Sequence, residues 1–264
     1  MRNVPESLDP AVVAEIDERL LGVEREHGVR VPWAIESGSR AWGFPSPDSD
    51  YDCRFLFVRP LDDHLALWPA RDVVETPLDA VFDVNGWELA KAVRLLVNGN
   101  ATVTEWLRSP VVYTGDEGFQ DRFLDLASAV ADRGRIGRHY LHVAMRQQER
   151  GGTLKRFFYV LRTAAALRWL RDHPDSATPP MDLPTLLAES SVDPSVREAA
   201  ADLIALKAQT REMGTGTAPD VLQRFVADEL ERAAAFDDLP ATNTSAEARA
   251  RADDFFRAEV RRWS

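Results

Sequence analysis

The amino-acid order predicts an α+β protein: a small mixed β-sheet with flanking helices at the N-terminal end, followed by an all-helical C-terminal half. Two observations carry this. Runs with strand character crowd the residues before Trp87, and helical periodicity dominates from Trp87 onward.

The elements follow in order. LDPAVVAEIDERLLGVEREHG offers Asp9 as an N-cap, Pro10 at the first helical position, and Val13, Ile16, Leu20 and Val23 at helical spacing, which predicts a helix over 10–26. VRVPWAIESG (29–38) reads as a strand ending in small residues, and YDCRFLFVRP (51–60) as a second one closed by Pro60. RDVVET (71–76) suits a short strand, and LDAVFDVNG (78–86) alternates apolar and acidic residues before Gly86. Helices are expected over 87–98, 119–132, 135–149, 154–172, 193–210, 218–235 and 245–262. NGNATVTEWL adds a glycine-marked break and a short helix, and RDHPDSATPPM (171–181) is a loop. The change of character divides the chain into a sheet-bearing part, 1–120, and a helical part, 121–264.

Composition narrows the function. A chain of 264 residues with 45% hydrophobic content can build an ordinary core. Its formal charge of -11 argues against gripping nucleic acid through a general basic surface. Cys53 is the single cysteine, so no internal disulfide forms, and no Cys/His cluster has zinc spacing. The opening MRNVPESLDP lacks a signal-peptide core and no apolar run is long enough for a membrane span, so a cytoplasmic location is expected. The sequons at Asn100 and Asn243 are then read as chance.

Chemistry concentrates in GSRAWGFPSPDSDYD (38–52). Residues two apart on a strand share a face, so Asp50 and Asp52 are expected side by side with Tyr51 turned away. Two like charges so close call for a cation, and hard oxygen ligands favour magnesium or manganese. Gly38 and Ser39 can form a turn whose amides and hydroxyl face an anion.

Gly38-Ser39, ten intervening residues and Asp50-Tyr51-Asp52 resemble the first motif of the DNA polymerase β-like nucleotidyltransferase superfamily. The fuller stretch is similar to its bacterial branch of predicted nucleotidyltransferases associated with RNA repair, as are residues 82–113 and 154–169. The resemblance implies the polymerase β-like fold and a metal-dependent transfer of a nucleoside monophosphate from an NTP, ATP foremost, to an acceptor hydroxyl with release of pyrophosphate. It implies two Mg2+ or Mn2+ ions held by Asp50, Asp52 and a third carboxylate on a neighbouring strand. Asp83 occupies the matching place; Asp79, on the same strand face, and Glu88 are its competitors.

The resemblance also sets the helix at 154–169 against the nucleotide. Lys155, Tyr159 and Arg162 share one helical face with Arg156 beside it, which makes Lys155 and Arg162 phosphate ligands and Tyr159 a partner of the base or ribose. Lysine is scarce, at positions 91, 155 and 207 only, so each lysine is informative. Arg40 is a further phosphate candidate, Trp42 and Phe44 are stacking or packing residues, and Ser49 braces the start of the strand. Lys91 and Arg94 lie on the helix after Asp83. Asn100 and Glu105 match polar positions of the family pattern, where the usual Asn-Pro is here Asn-Ala. His139 and His142 share a helix face without an acidic metal partner and read as packing or surface residues.

The acceptor is open. An RNA 3′ end in repair is suggested by the family association, with RGRIGRH (133–139), MRQQER and LKRFF as a local basic path. Nucleotidylylation of a protein side chain, as in toxin-antitoxin modules, is the alternative within the enzyme class. A non-catalytic NTP-binding module is the alternative outside it.

Overall fold

The computed structural model describes residues 1–77, 81–149, 153–210, 216–236, 238–239 and 245–264. Asp79, Arg150 and Asn243 lie outside the described residues.

Helix α1 (Pro10–His27) begins where Asp9 accepts the Ala11 N–H at 2.8 Å, and it buries Val13, Ile16, Leu20 and Val23. Strand β1 (Arg30–Glu36) pairs antiparallel with β2 (Tyr51–Val58). Between them Gly38–Ala41 makes a single helical turn, α2. Strand β3 (Val73–Glu75) pairs antiparallel with β4 (Phe82–Glu88), and β4 lies parallel to β2. The sheet is therefore mixed, with strand order β3-β4-β2-β1-β5.

The edge strand β5 (Val112–Gly115) pairs antiparallel with β1 and was not foreseen in the sequence. Four residues are too few to display alternation, and tertiary pairing rather than propensity defines it. Asn3 bridges to Val112 on its outer side.

One sheet face receives α1, whose apolar stripe meets Ala34, Cys53, Phe55, Phe57, Val84 and Tyr113. The other face, with Trp33, Ile35, Leu56 and Val58, receives α3 (Leu89–Val97), α4 (Ala101–Leu107), α5 (Glu117–Val130) and α11 (Ser245–Trp263). The last helix thus returns to the sheet, where Arg122 of α5 clamps the buried Glu259 of α11 at 2.5 and 2.9 Å. Packing crosses the division expected near residue 120.

A separate helical core joins α6 (Arg133–Glu149), α7 (Leu154–Asp172), α8 (Leu183–Glu189), α9 (Pro194–Gln209) and α10 (Asp220–Arg232). Helix α8 is a second unforeseen element. Its signals were present in MDLPTLLAES: Asp182 caps by accepting the Thr185 N–H, and Pro184 stands in the first turn. Phe44, from the segment after α2, is fully buried in this helical core. No helix among the described residues is long and apolar enough to cross a membrane.

Candidate active site

The site forms where the end of β1 meets the starts of β2 and β4. In the parallel ladder Asp52 stands opposite Asp83, so two carboxylates face each other across adjacent strands. Parallel pairing alone, with no shared sequence neighbourhood, sets that register.

Gly38 explains why a glycine precedes the serine. Its φ is +58°, and a Cβ there would stand 1.9 Å from Asp52 Oδ2. Only a residue without a side chain lets the turn lie against the carboxylate. Five residues on, Gly43 meets Pro184 Cδ 2.7 Å from where its Cβ would be, and Trp42 O accepts the Leu183 N–H at 2.9 Å, so α8 seats the turn from behind.

The connection to β2 is tied to the same turn. Ser39 Oγ donates to Ser49 Oγ at 2.9 Å, which also accepts the Ser46 N–H. Arg40 donates to Ser49 O at 2.6 Å and Asp50 O at 3.2 Å while its guanidinium covers the Tyr51 ring at 3.9 Å. Arg40 therefore braces the loop through Nε and Nη2. Strand β2 starts at Tyr51, whose N–H reaches Val81 O, and the exposed Asp50 stands one residue before it, with its charge acting on Asp52.

Asp52 and Asp83 are held by a residue that sequence reasoning missed. Arg54 Nη2 donates to Asp52 Oδ1 at 3.1 Å and to Asp83 Oδ2 at 2.6 Å, and its Nη1 donates to the backbone oxygen of Asp83 at 2.7 Å. Asn85 donates to the other Asp83 oxygen. Burial raises the Asp52 carboxyl above its ordinary value. Arg54 pulls it back, Asp83 and Asp50 push it up further, and Lys155 pulls it back again. Among the described residues no three carboxylate, imidazole or thiolate groups converge on one point.

Beneath the carboxylates lies a second missed residue, Glu36. It is fully buried, accepts the Asp52 N–H at 3.0 Å and the Tyr113 hydroxyl at 2.5 Å, and is pushed up to about 7 chiefly by burial. The signal was a glutamate closing an otherwise apolar strand, VPWAIE.

Helix α7 forms the opposite wall. Burial raises the Tyr159 hydroxyl above its ordinary value, and the charges of Asp52 and Asp50 raise it further. Trp42 stands edge-on to Tyr159 at 5.2 Å. Lys155 is exposed and its charge reaches Asp52.

Arg162 departs from the expected phosphate-facing position. It is 5% exposed, bonded to Glu105 at 2.7 Å and lying over Trp42 at 4.4 Å, while Tyr140 donates to the same Glu105 oxygen. Farther along that helical face, Arg162 is covered by the segment before α8, where Met181 O also accepts a bond from it.

Other candidates stand apart. Glu88 pairs with His64 at 3.4 Å five positions along β4 from Asp83, roughly 16 Å at strand rise, so it does not compete for the third place. Lys91 and Arg94 meet Asp72, and Asn100 caps α4 by accepting the Thr102 N–H. Arg133 and Arg135 of the basic run donate to the backbone oxygens of Leu170 and Val97.

A turn set against an aspartate, with a second aspartate level with it on the parallel neighbour, is the arrangement of a nucleotidyltransferase of the polymerase β class. The chain belongs to the RNA repair pathway DNA polymerase beta family, whose model matches residues 12–258. It is 35% identical over 222 residues to the uncharacterized protein YcgL of Bacillus subtilis (strain 168), covering 82% of this chain and 84% of that one. A solved structure, the nucleotidyltransferase-like protein from Exiguobacterium sibiricum 255-15, is similar at 14% identity and a TM-score of 0.31, over 83% of this chain and 74% of that one.

Proposed function

We propose that the protein transfers a nucleoside monophosphate from an NTP, ATP foremost, to an acceptor hydroxyl and releases pyrophosphate. The observation that carries this reading is the level pairing of Asp52 with Asp83 across β2 and β4, with Gly38 against the Asp52 carboxylate.

The donor set suits a divalent ion: two carboxylates already share a cation, the Arg54 guanidinium, and their oxygens are hard ligands. Asp52 and Asp83 would hold Mg2+ or Mn2+ there once Arg54 gives way, with Asp50 joining from the loop. A bound ion would neutralise charge developing on the phosphoryl oxygens.

The chain's own groups orient the reactants. Tyr159 and Trp42 form an aromatic wall for the nucleoside, Lys155 faces the phosphates, and the Gly38-Ser39 turn fixes the Asp52 carboxylate. The acceptor hydroxyl gives its proton to a nearby carboxylate, Asp83 in this reading, as its oxygen bonds to the α-phosphorus and the bond to the β-phosphate oxygen breaks, releasing pyrophosphate. Catalysis of this kind rests on positioning and charge neutralisation.

The family's description names an RNA repair pathway, which favours RNA as the acceptor, and its 3′ hydroxyl is the first reading. A specific observation favours a protein hydroxyl as the second reading: Arg133 and Arg135, expected in a basic path for RNA, spend donors on backbone oxygens.

The test incubates the protein with each labelled NTP, magnesium or manganese and RNAs with differing 3′ ends, beside Asp50→Ala, Asp52→Ala and Asp83→Asn. Label on RNA that disappears in the Asp52 and Asp83 variants is expected. Label on protein would select the second reading, and no transfer to any acceptor would sink both.

A further inference from the structure

Lys207 lies in the last turn of α9 and is 3% exposed, yet no hydrogen-bond or ion-pair partner meets it among the described residues. Its ammonium group stands 4.6 Å above the Phe44 ring and 4.9 Å above the Phe158 ring. Phe44 follows the Gly38-Ser39 turn, and Phe158 adjoins Tyr159 on α7. A charge from the far half of the chain is thus held at the back of the candidate site.

Such a charge is costly. Burial of an ammonium without an anion opposes folding, and two aromatic faces offset only part of that. The charges that bear on it are Lys155, which repels it, and Asp48, which attracts it; burial and then Lys155 bring it down to about 8. Lys155 also acts on Asp52, so its charge bears on both the carboxylates and Lys207. A buried ammonium over two rings, with a second lysine acting on it, is an arrangement that an anion of several charges would complete.

Resting on the nucleotidyl-transfer reading of this site, we propose that Lys207 is a polyphosphate-binding residue that, with Lys155, holds the β- and γ-phosphates of the bound triphosphate and the pyrophosphate that leaves. A lysine is suited to this as a compact point charge on a flexible stem, able to follow the phosphates as the bond breaks. The apolar wall of Phe44 and Phe158 keeps water from competing with it.

The experiment uses the full chain and Lys207→Met, which keeps the apolar stem. Inorganic tripolyphosphate, ATP and AMP are titrated calorimetrically, and thermal unfolding is followed with and without tripolyphosphate. Lys207→Met is expected to weaken tripolyphosphate and ATP by about tenfold or more while AMP stays within about twofold. Its unliganded Tm is expected to match or exceed that of the wild type, with the rise given by tripolyphosphate lost. Tripolyphosphate affinity within about twofold of wild type would overturn the assignment. So would AMP and ATP weakening alike, or a lowered unliganded Tm, since each marks a packing role. A wild type that binds no polyphosphate overturns it as well. Binding of tripolyphosphate through Lys207 in a protein that transfers no nucleotide would leave this inference standing and remove the transfer reading alone.

Discussion

Asp52 and Asp83 share one nitrogen of Arg54, which bonds an oxygen of each from 3.1 and 2.6 Å across the parallel β2–β4 ladder. The guanidinium holds the place where two facing carboxylates most need a positive charge. Arg54→Met removes that charge and leaves the carboxylates to repel. Because all three side chains are partly exposed, the loss is expected to be about 1–2 kcal/mol, a fall of about 2–6 °C in Tm. The fall should appear in chelator and be recovered in millimolar Mn2+. An unchanged Tm in chelator would show that Arg54 is not what relieves the pair.

Gly38→Ala tests the turn. The new methyl would overlap Asp52 Oδ2 at a backbone φ of +58°. The carboxylate must shift, at about 1–3 kcal/mol of stability. Transfer activity is expected to fall by a larger factor than stability alone explains, read by assaying at a temperature where the variant is fully folded.

Two residues that the sequence grouped on one helical face should behave oppositely. Glu105→Ala leaves Arg162 buried and uncompensated and the Tyr140 hydroxyl without its acceptor, at about 3–5 kcal/mol in urea unfolding. Lys155→Ala, at an exposed position, should stay within about 0.5 kcal/mol yet weaken ATP binding. Equal stability losses would contradict the burial difference between Lys155 and Arg162.

Lys207 gives a pH signature. Its folded-state value near 8 lies below the roughly 10.4 of an unfolded lysine, so between those limits the unfolded chain binds more protons and stability rises with pH. Below that window the cost of the buried charge is fully present. Lys155 on α7 and Asp48 in the loop after Phe44 are the charges facing it. The stability advantage of Lys207→Met over wild type should therefore shrink from about pH 7 to about pH 9.5, measured by urea unfolding. A constant gap would place the Lys207 titration elsewhere.

Much of this site is visible in the sequence, for identifiable reasons. Asp52 and Asp83 stand near the starts of strands with clear apolar patterns, and the Gly38-Ser39 spacing marks the turn. Arg54 was hidden because a charge within YDCRFLFV reads as facing solvent, and nothing local shows that β4 will lie parallel beside it. Lys207 was noticed only as one of few lysines, since its contacts with Phe44 and Phe158 exist only in the assembled helical core. Arg162 misled because helical spacing predicts which residues share a face and says nothing of what covers that face further along.

The burial of Phe44 in the helical core makes the motif turn a joint between the two halves of the molecule. Cutting the chain near residue 120 would return that ring to water, forfeiting about 1.5–3 kcal/mol and the backing of the turn. The sheet half is thus not a detachable catalyst. Whatever shifts the helical core through Phe44 acquires leverage on the loop that carries Ser39, Arg40 and Asp50.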